Sequence, residues 1–126
     1  MAVTYSTAAK EARLNAVIAA IDADASPGYI EIGTTGMASV LATITLADPC
    51  GTASGGKLTF DFDPDVSDTS ADNSGVAAEA RIKNGAGTVV ISGLTVGTSG
   101  TDIILDSTSI TAGQTVTLTT GEINHA

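Results

Sequence analysis

The amino-acid sequence predicts a mainly β fold, an antiparallel β-sandwich or jelly roll of about eight strands with one N-terminal α-helix. In the last third, GTVVISGLTVGTSGTDIILDSTSITAGQTVTLTTGEINHA, short runs of Val, Ile, Leu and Thr are cut by Gly or Ser-Gly. β-Branched residues fit a pleated sheet, and Gly supplies the backbone angles of tight turns. Loop signals recur roughly every 8 to 12 residues, and no second helix is available for the crossovers of a parallel sheet.

The stretch Thr7–Ile21 is predicted to be that helix, because it is rich in Ala and contains no Gly or Pro. Ser6 is placed to cap it, and Asp22 with the following Ser-Pro-Gly ends it. We divide the single domain into an N-terminal helical segment, residues 1–24, and a β body, residues 25–126. The helix is expected either to cover a face or edge of the sheet or to serve as an arm that grips a neighbouring subunit. Four apolar residues share one helical face: Leu14, Val17, Ile18 and Ile21.

The strands are predicted from alternating apolar and polar residues that are bounded by turn residues. Asp48, Pro49 and Gly51 are expected to end the second strand. Phe60 and Phe62 are the best candidates for the centre of the core, because they share one face of the third strand. The predicted strands cover residues 29–32, 38–46, 57–62, 76–83, 88–92, 94–96, 101–105, 108–111 and 115–120.

Length and composition indicate one domain with a thin core. A chain of 126 residues buries roughly two thirds of its unfolded surface. Hydrophobic residues make up 43% of the chain, but Trp is absent and four residues are aromatic. Large side chains contribute most to burial, so a core of Ala, Val, Ile and Leu is thin. We therefore expect the chain to oligomerise.

The charge excludes some classes of partner. The formal net charge is -9, with 14 acidic residues against five Lys and Arg. Binding to nucleic acid by charge needs clustered cations that displace counterions from phosphates, and the sequence has no such cluster. An anionic membrane surface is disfavoured for the same reason, and no apolar run approaches the roughly 20 residues of a spanning helix.

The single cysteine and the single histidine carry little chemistry. Cys50 cannot form an internal disulfide, and it is expected to be an inert thiol in a turn. His125 stands next to the C-terminus, where a side chain is seldom held firmly enough to act as a general base. Residues 1–20 lack the pattern of a signal peptide, so we expect the protein to be made and folded in the cytoplasm. No enzymatic activity, catalytic residue or cofactor is predicted.

The one constellation with metal-like spacing lies around residues 63–75, which are predicted to form a long solvated loop. Asp61, Asp63 and Asp65 have the 1, 3, 5 spacing of a calcium loop, and Asp72 falls at position 12. Position 6 is Val66 instead of Gly, position 12 is usually Glu, and no flanking helices are predicted. A weak calcium site and a plain solvated loop are the two interpretations.

Several pieces of the chain resemble small virion proteins of tailed bacteriophages. The matching pieces are TYSTAAKEARL, IGTTGMASVLAT, VGTSGTDIILDSTSITAGQTV and an ending of the INHA type. Some phage proteins of this size with a β-sandwich or jelly-roll body are capsid decoration, or cement, proteins, which trimerise and clamp neighbouring major capsid subunits. The resemblance therefore implies a homotrimer in the virion that binds the major capsid protein and carries no catalytic residues.

The charge adds to this expectation, because a protein that coats the outside of a shell has no need to be basic. Two other roles in the particle stay open. One is a receptor-binding or glycan-binding module of a tail fibre, which would use the loop of residues 63–75. The other is a component of the tail tube or neck.

Overall fold

A computed structural model describes residues 5–23, 26–62, 67–68 and 71–124 of the chain. Within these ranges the chain forms one α-helix, α1 (Thr7–Ile21), one short 3-10 turn (Thr35–Met37) and ten strands. The strands are β1 (Tyr29–Gly33), β2 (Val40–Ser54), β3 (Lys57–Phe62), β4 (Ser67–Asp68), β5 (Gly75–Val76), β6 (Glu79–Lys83), β7 (Val89–Gly97), β8 (Ile103–Leu105), β9 (Ser109–Ile110) and β10 (Val116–Asn124).

The main sheet is nearly closed into a barrel. Its order is β3, β2, β1, β6, β7, β8, β10 and β4, and β10 also pairs with β3. That last pairing sets Glu122–Asn124 against Lys57–Thr59 and joins the two sides of the sheet. Strands β5 and β9 form a separate pair. The prediction of a mainly β fold with one N-terminal helix is confirmed, and the barrel-like sheet is consistent with a β-sandwich or jelly roll.

The core lies inside this sheet and, in the described residues, consists of aliphatic side chains, Cys50 and the ring of Phe60. Phe60 is 4% exposed and belongs to it, as predicted, whereas the side chain of Phe62 lies outside the described residues. Among the described residues, no polar or charged residue is buried. The largest side chains that are completely enclosed are Ile21, Ile30, Ile32, Leu41, Ile44, Leu46, Leu58, Ile82, Ile103, Leu105, Val116 and Leu118.

Strand β2 is longer than predicted, and the expected stop at residues 48–51 is wrong. Leu46 lies opposite Phe62 and Gly51 opposite Phe60, so β2 carries extra residues between these two pairs. The extra residues form an irregularity in the ladder, where a proline is tolerated because no ladder donor is needed. Gly51 lies so close to the carbonyl oxygen of Thr59 that a Cβ atom would collide with it.

Other strand boundaries also differ from the prediction. The predicted strands 88–92 and 94–96 are replaced by one strand, β7 (Val89–Gly97). Its ladder with β6 has two register shifts, and Gly93 within it has a φ of 74°. Residues 76–83 are divided between β5 and β6, and β10 extends to Asn124. The predicted loop 63–75 contains β4 and the buried Ala71, so in its described part it is not simply solvated. These differences arise because pairing with distant strands decides where each strand ends.

The helix α1 covers part of the sheet. It contacts β2, β3 and β7, which lie on different sides of the barrel. Leu14 and Ile21 are 3% and 0% exposed and belong to the core, and Val17 and Ile18 pack against it. The Ser6 hydroxyl accepts a hydrogen bond from the Ala9 N–H at 3.1 Å, as expected of an N-cap. In this chain the helix therefore has the covering role that was one of its two predicted functions.

We expect Ile21→Ala to lower the free energy of unfolding by about 2–5 kcal/mol, because it leaves a cavity between α1 and the barrel. Val76→Ala is the matched control. Val76 is 64% exposed, so its truncation should change stability by less than about 0.5 kcal/mol. Urea denaturation followed by circular dichroism measures both. Equal effects of the two substitutions would contradict the docking of α1.

Candidate functional surfaces

The outer face of β1 and β6 carries the principal charged cluster of the described residues. Ile30 and Ile32 point into the barrel, so the alternation of the strand places Glu31 on the outside. Glu31 lies opposite Arg81 in the ladder. Its Oε1 accepts from Arg81 Nε at 2.7 Å and lies 3.0 Å from Lys83 Nζ. The three side chains are only 13–28% exposed, so solvent screens them incompletely.

The cations decide the ionisation of Glu31. Partial burial by itself raises the pKa of Glu31. Hydrogen bonds from Lys83 and Arg81, together with their positive charges, outweigh that effect and hold the pKa below its ordinary value of 4.5. The carboxylate is therefore ionised at neutral pH and holds two strand side chains together. This arrangement stabilises the β1 and β6 pair, and it places no nucleophile beside a base.

Two other carboxylates accept hydrogen bonds from backbone N–H groups of β2, and a third accepts one from the turn after it. Asp68 Oδ2 accepts from Thr43 N at 2.9 Å, and Asp22 Oδ2 accepts from Cys50 N at 3.2 Å. Glu11 Oε1 accepts from the N–H of Gly55, in the turn after β2, at 2.8 Å. Each of these side chains supplies an acceptor for a backbone N–H group of β2 or of the turn after it. Two of them belong to α1 and its C-cap, so they also fix the helix to the barrel.

The predicted calcium residues are only partly described. Asp61 is an exposed residue of β3, and Asp72 is an exposed residue whose backbone N–H donates to the carbonyl oxygen of Leu41 at 2.8 Å. Asp63 and Asp65 lie outside the described residues. In the described part of the chain, no three His, Cys, Asp or Glu side chains are grouped so that they could hold a metal ion. The calcium site stays a prediction.

Cys50 has a different environment from the one expected. It is buried in β2 and belongs to the core, whereas the sequence predicted a turn. The reason is the continuation of β2 beyond residues 48 and 49, which carries the thiol inward. Burial limits the access of thiol reagents to Cys50. His125 lies outside the described residues.

Sequence reasoning did not predict the Glu31 cluster or the carboxylates that accept hydrogen bonds from β2 and the turn after it. Glu31 and Arg81 are 50 positions apart, and Asp22 and Cys50 are 28 positions apart. The alternation within each strand predicts that Glu31, Arg81 and Lys83 face outward, but it does not show that β1 and β6 are neighbours. The available signal was that one predicted strand carries Glu31, whereas another carries Arg81 and Lys83 at alternate positions.

Comparisons with models of protein families, with curated proteins and with solved structures found no match for this chain. The described part of the chain contains no helix long and apolar enough to cross a membrane.

Glu31→Gln should lower the free energy of unfolding by about 1–3 kcal/mol at neutral pH, because two half-buried cations lose their carboxylate. Since the folded pKa of Glu31 is lowered, its contribution is present above the unfolded pKa and is lost as the pH falls through the folded pKa. The difference between the wild-type protein and the variant should therefore shrink below about pH 4.

Urea denaturation at several pH values measures this difference. Glu122→Gln is the matched control, because the ion pair of Glu122 with Lys57 is 3.1 Å long but more exposed, and its loss should cost less than about 1 kcal/mol. A difference for Glu31→Gln that does not change with pH would contradict the assigned role of the carboxylate.

Cys50 should react with a thiol reagent only when the fold opens. Its side chain is 0% exposed. We expect labelling with iodoacetamide to be slow in native buffer and fast in denaturant, as measured by mass spectrometry. Rapid labelling of the native protein would contradict the burial of Cys50 in β2.

Proposed function

We propose that this chain is a structural protein of a tailed-phage particle, a capsid decoration protein that binds and stabilises the outer head shell. The observation that carries the proposal is the resemblance to small phage virion proteins. Its longest piece covers residues 96–116, which run from the end of β7 through β8 and β9 to the start of β10. This piece contributes five buried residues to the core: Val96, Ile103, Leu105, Ile110 and Val116.

Residues 96–116 therefore combine buried aliphatic side chains with glycines in turns. Gly100 and Gly113 have φ values of 68° and 84°, which favour glycine. Buried aliphatic residues and turn glycines determine the path of the backbone, so the resemblance supports a shared fold in this part of the chain. It does so independently of any catalytic residue.

The electrostatics favour the outside of a shell. A protein that lines packaged DNA gains from cations that displace counterions, whereas this chain has a net charge of -9. The described ion pairs and carboxylate contacts hold the fold together, as Glu31, Asp22 and Asp68 do. What the protein offers a partner is its folded surface, and binding by surface burial is how a cement protein acts.

The nearly closed sheet also suits dense packing on a shell. Unpaired strand edges invite pairing between copies. The pairing of β10 with β3 joins the two sides of the main sheet, so these two strands do not leave open edges where they pair. Many copies can then lie side by side with little risk of aggregation through these strands.

The direct test is binding of the purified protein to phage heads that lack it. We expect it to sediment with these heads and to add density to the outer face of the shell in a cryo-EM map. Heads already saturated with the protein are the control and should take up no more. A map with no density on the outer shell would overturn the proposal.

Two outcomes would point to the other roles. Selective binding to glycans or host cells, without binding to heads, would favour a module of a tail fibre. Formation of rings or tubes by the purified protein would favour a tail or neck component. A glycan array and negative-stain electron microscopy make these measurements on the same preparation.

A further inference from the structure

One edge of β7 has no partner along most of its length. The strand pairs with β6 from Val89 to Thr95, but with β8 only at Val96 and Gly97. The Thr95 N–H donates to Asp102 Oδ2 at 3.1 Å. Between residues 89 and 94, the edge away from β6 makes no hydrogen bond to any described part of the chain. Because a strand directs its backbone groups to both edges in turn, unpaired N–H and C=O groups line this one.

The first half of β2 shows how this chain covers an edge of the same kind. There the Thr43 N–H donates to Asp68 Oδ2 at 2.9 Å, and the Leu41 carbonyl oxygen accepts from the Asp72 N–H at 2.8 Å. The segment after β3 thus takes the place of a neighbouring strand. The helix α1 contacts β7, but a helix pairs its own backbone groups and cannot supply the partners of a strand ladder. The edge of β7 therefore stays available.

The side chains at the start of β7 also indicate a missing partner. Val89, Val90 and Ile91 form an unbroken apolar run, which is typical of a strand that is covered on both faces. In the folded chain none of the three is fully buried. Val89 is 43% exposed, and Val90 and Ile91 are only partly buried against the core. The run therefore gains burial when a further element packs on this edge.

The charge distribution favours a second copy of the chain as the occupant. Each copy has a net charge of -9, so most contacts between copies are repulsive. Residues 84–101, which include all of β7, are the longest stretch of the chain without a charged residue. Two β7 edges can therefore approach each other without bringing like charges together. A partner recognised by charge would gain nothing from an uncharged edge.

We propose that β7 of one copy pairs antiparallel with β7 of a second copy and joins two barrels into a dimer. In a two-fold arrangement both strands offer the same edge, so each supplies the backbone groups and apolar side chains that the other lacks. Pairing of about six residues on each strand is a small contact, so the dimer dissociates on dilution. The inference concerns the free protein and does not depend on the proposed role in a capsid.

Sedimentation velocity at protein concentrations up to about 1 mM tests the pairing. We expect the wild-type protein to pass from monomer to dimer as its concentration rises. The variant V89K/S92K should stay monomeric, because charged side chains on an edge strand oppose edge-to-edge pairing.

The matched control is V76K/S109K, which also replaces one exposed Val and one exposed Ser by Lys, on the paired strands β5 and β9. It should dimerise like the wild-type protein. Both variants change the net charge by the same amount, so a loss of dimer limited to V89K/S92K does not come from general repulsion. Thermal melting by circular dichroism verifies that both variants are folded.

Hydrogen exchange of the wild-type protein, followed by mass spectrometry, locates the contact. The amides of residues 89–94 should exchange several-fold more slowly at high than at low protein concentration. The amides of residues 103–118 should exchange at the same rate in both. This measurement decides the proposal even if V89K/S92K does not fold.

A wild-type protein that stays monomeric throughout, or that forms trimers instead of dimers, would overturn the proposal. The same holds for a control as monomeric as V89K/S92K, and for exchange at residues 89–94 that does not change with concentration. Slower exchange at residues 89–94 that appears only when phage heads are added would assign the edge to a strand of a shell protein. That result would also overturn pairing between copies.

Discussion

Most of the structure depends on β2 and on the change of partner along it. Its first half pairs with β1, and its second half, after the irregularity that follows Leu46, pairs with β3. The sheet closes only because β3, held by this second half, receives β10. The helix is fixed to the same strand through Cys50 and to the turn that follows it. A β2 that stopped at Pro49 would leave both β3 and α1 without their main partner.

Acidic side chains take an unusual share in this arrangement. Glu11, Asp22 and Asp68 accept hydrogen bonds from backbone N–H groups on or next to β2, and Glu31 is held by two cations. A charged acceptor makes a stronger hydrogen bond than a neutral one. The thin aliphatic core is thus supplemented by charge-assisted contacts at its edges. The remaining carboxylates of the described residues are not buried, and the net charge of the chain is -9.

This distribution of roles bears on function. Glu31, Asp22 and Asp68 bind groups that hold strands and the helix together, whereas Asp61, Asp72 and Asp106 are exposed. Among the described residues, Lys10 and Arg13 of α1 take part in no salt bridge. The proposed capsid role depends on the folded surface as a whole.

The sequence by itself determined the fold class, the helix Thr7–Ile21 with its apolar face, and Phe60 as a core residue, because these follow from local propensity and from the period of the apolar residues. Residues 63, 65 and 125 lie outside the described ranges, so the weak calcium pattern and His125 stay as the sequence left them.

Only the tertiary structure decided that β2 continues past Pro49, that Cys50 is buried, and that Glu31 meets Arg81. Each of these depends on which strands become neighbours, and strand order is a property of contacts between distant residues. A local pattern shows which way a side chain points, but the residue opposite it comes from a different part of the chain.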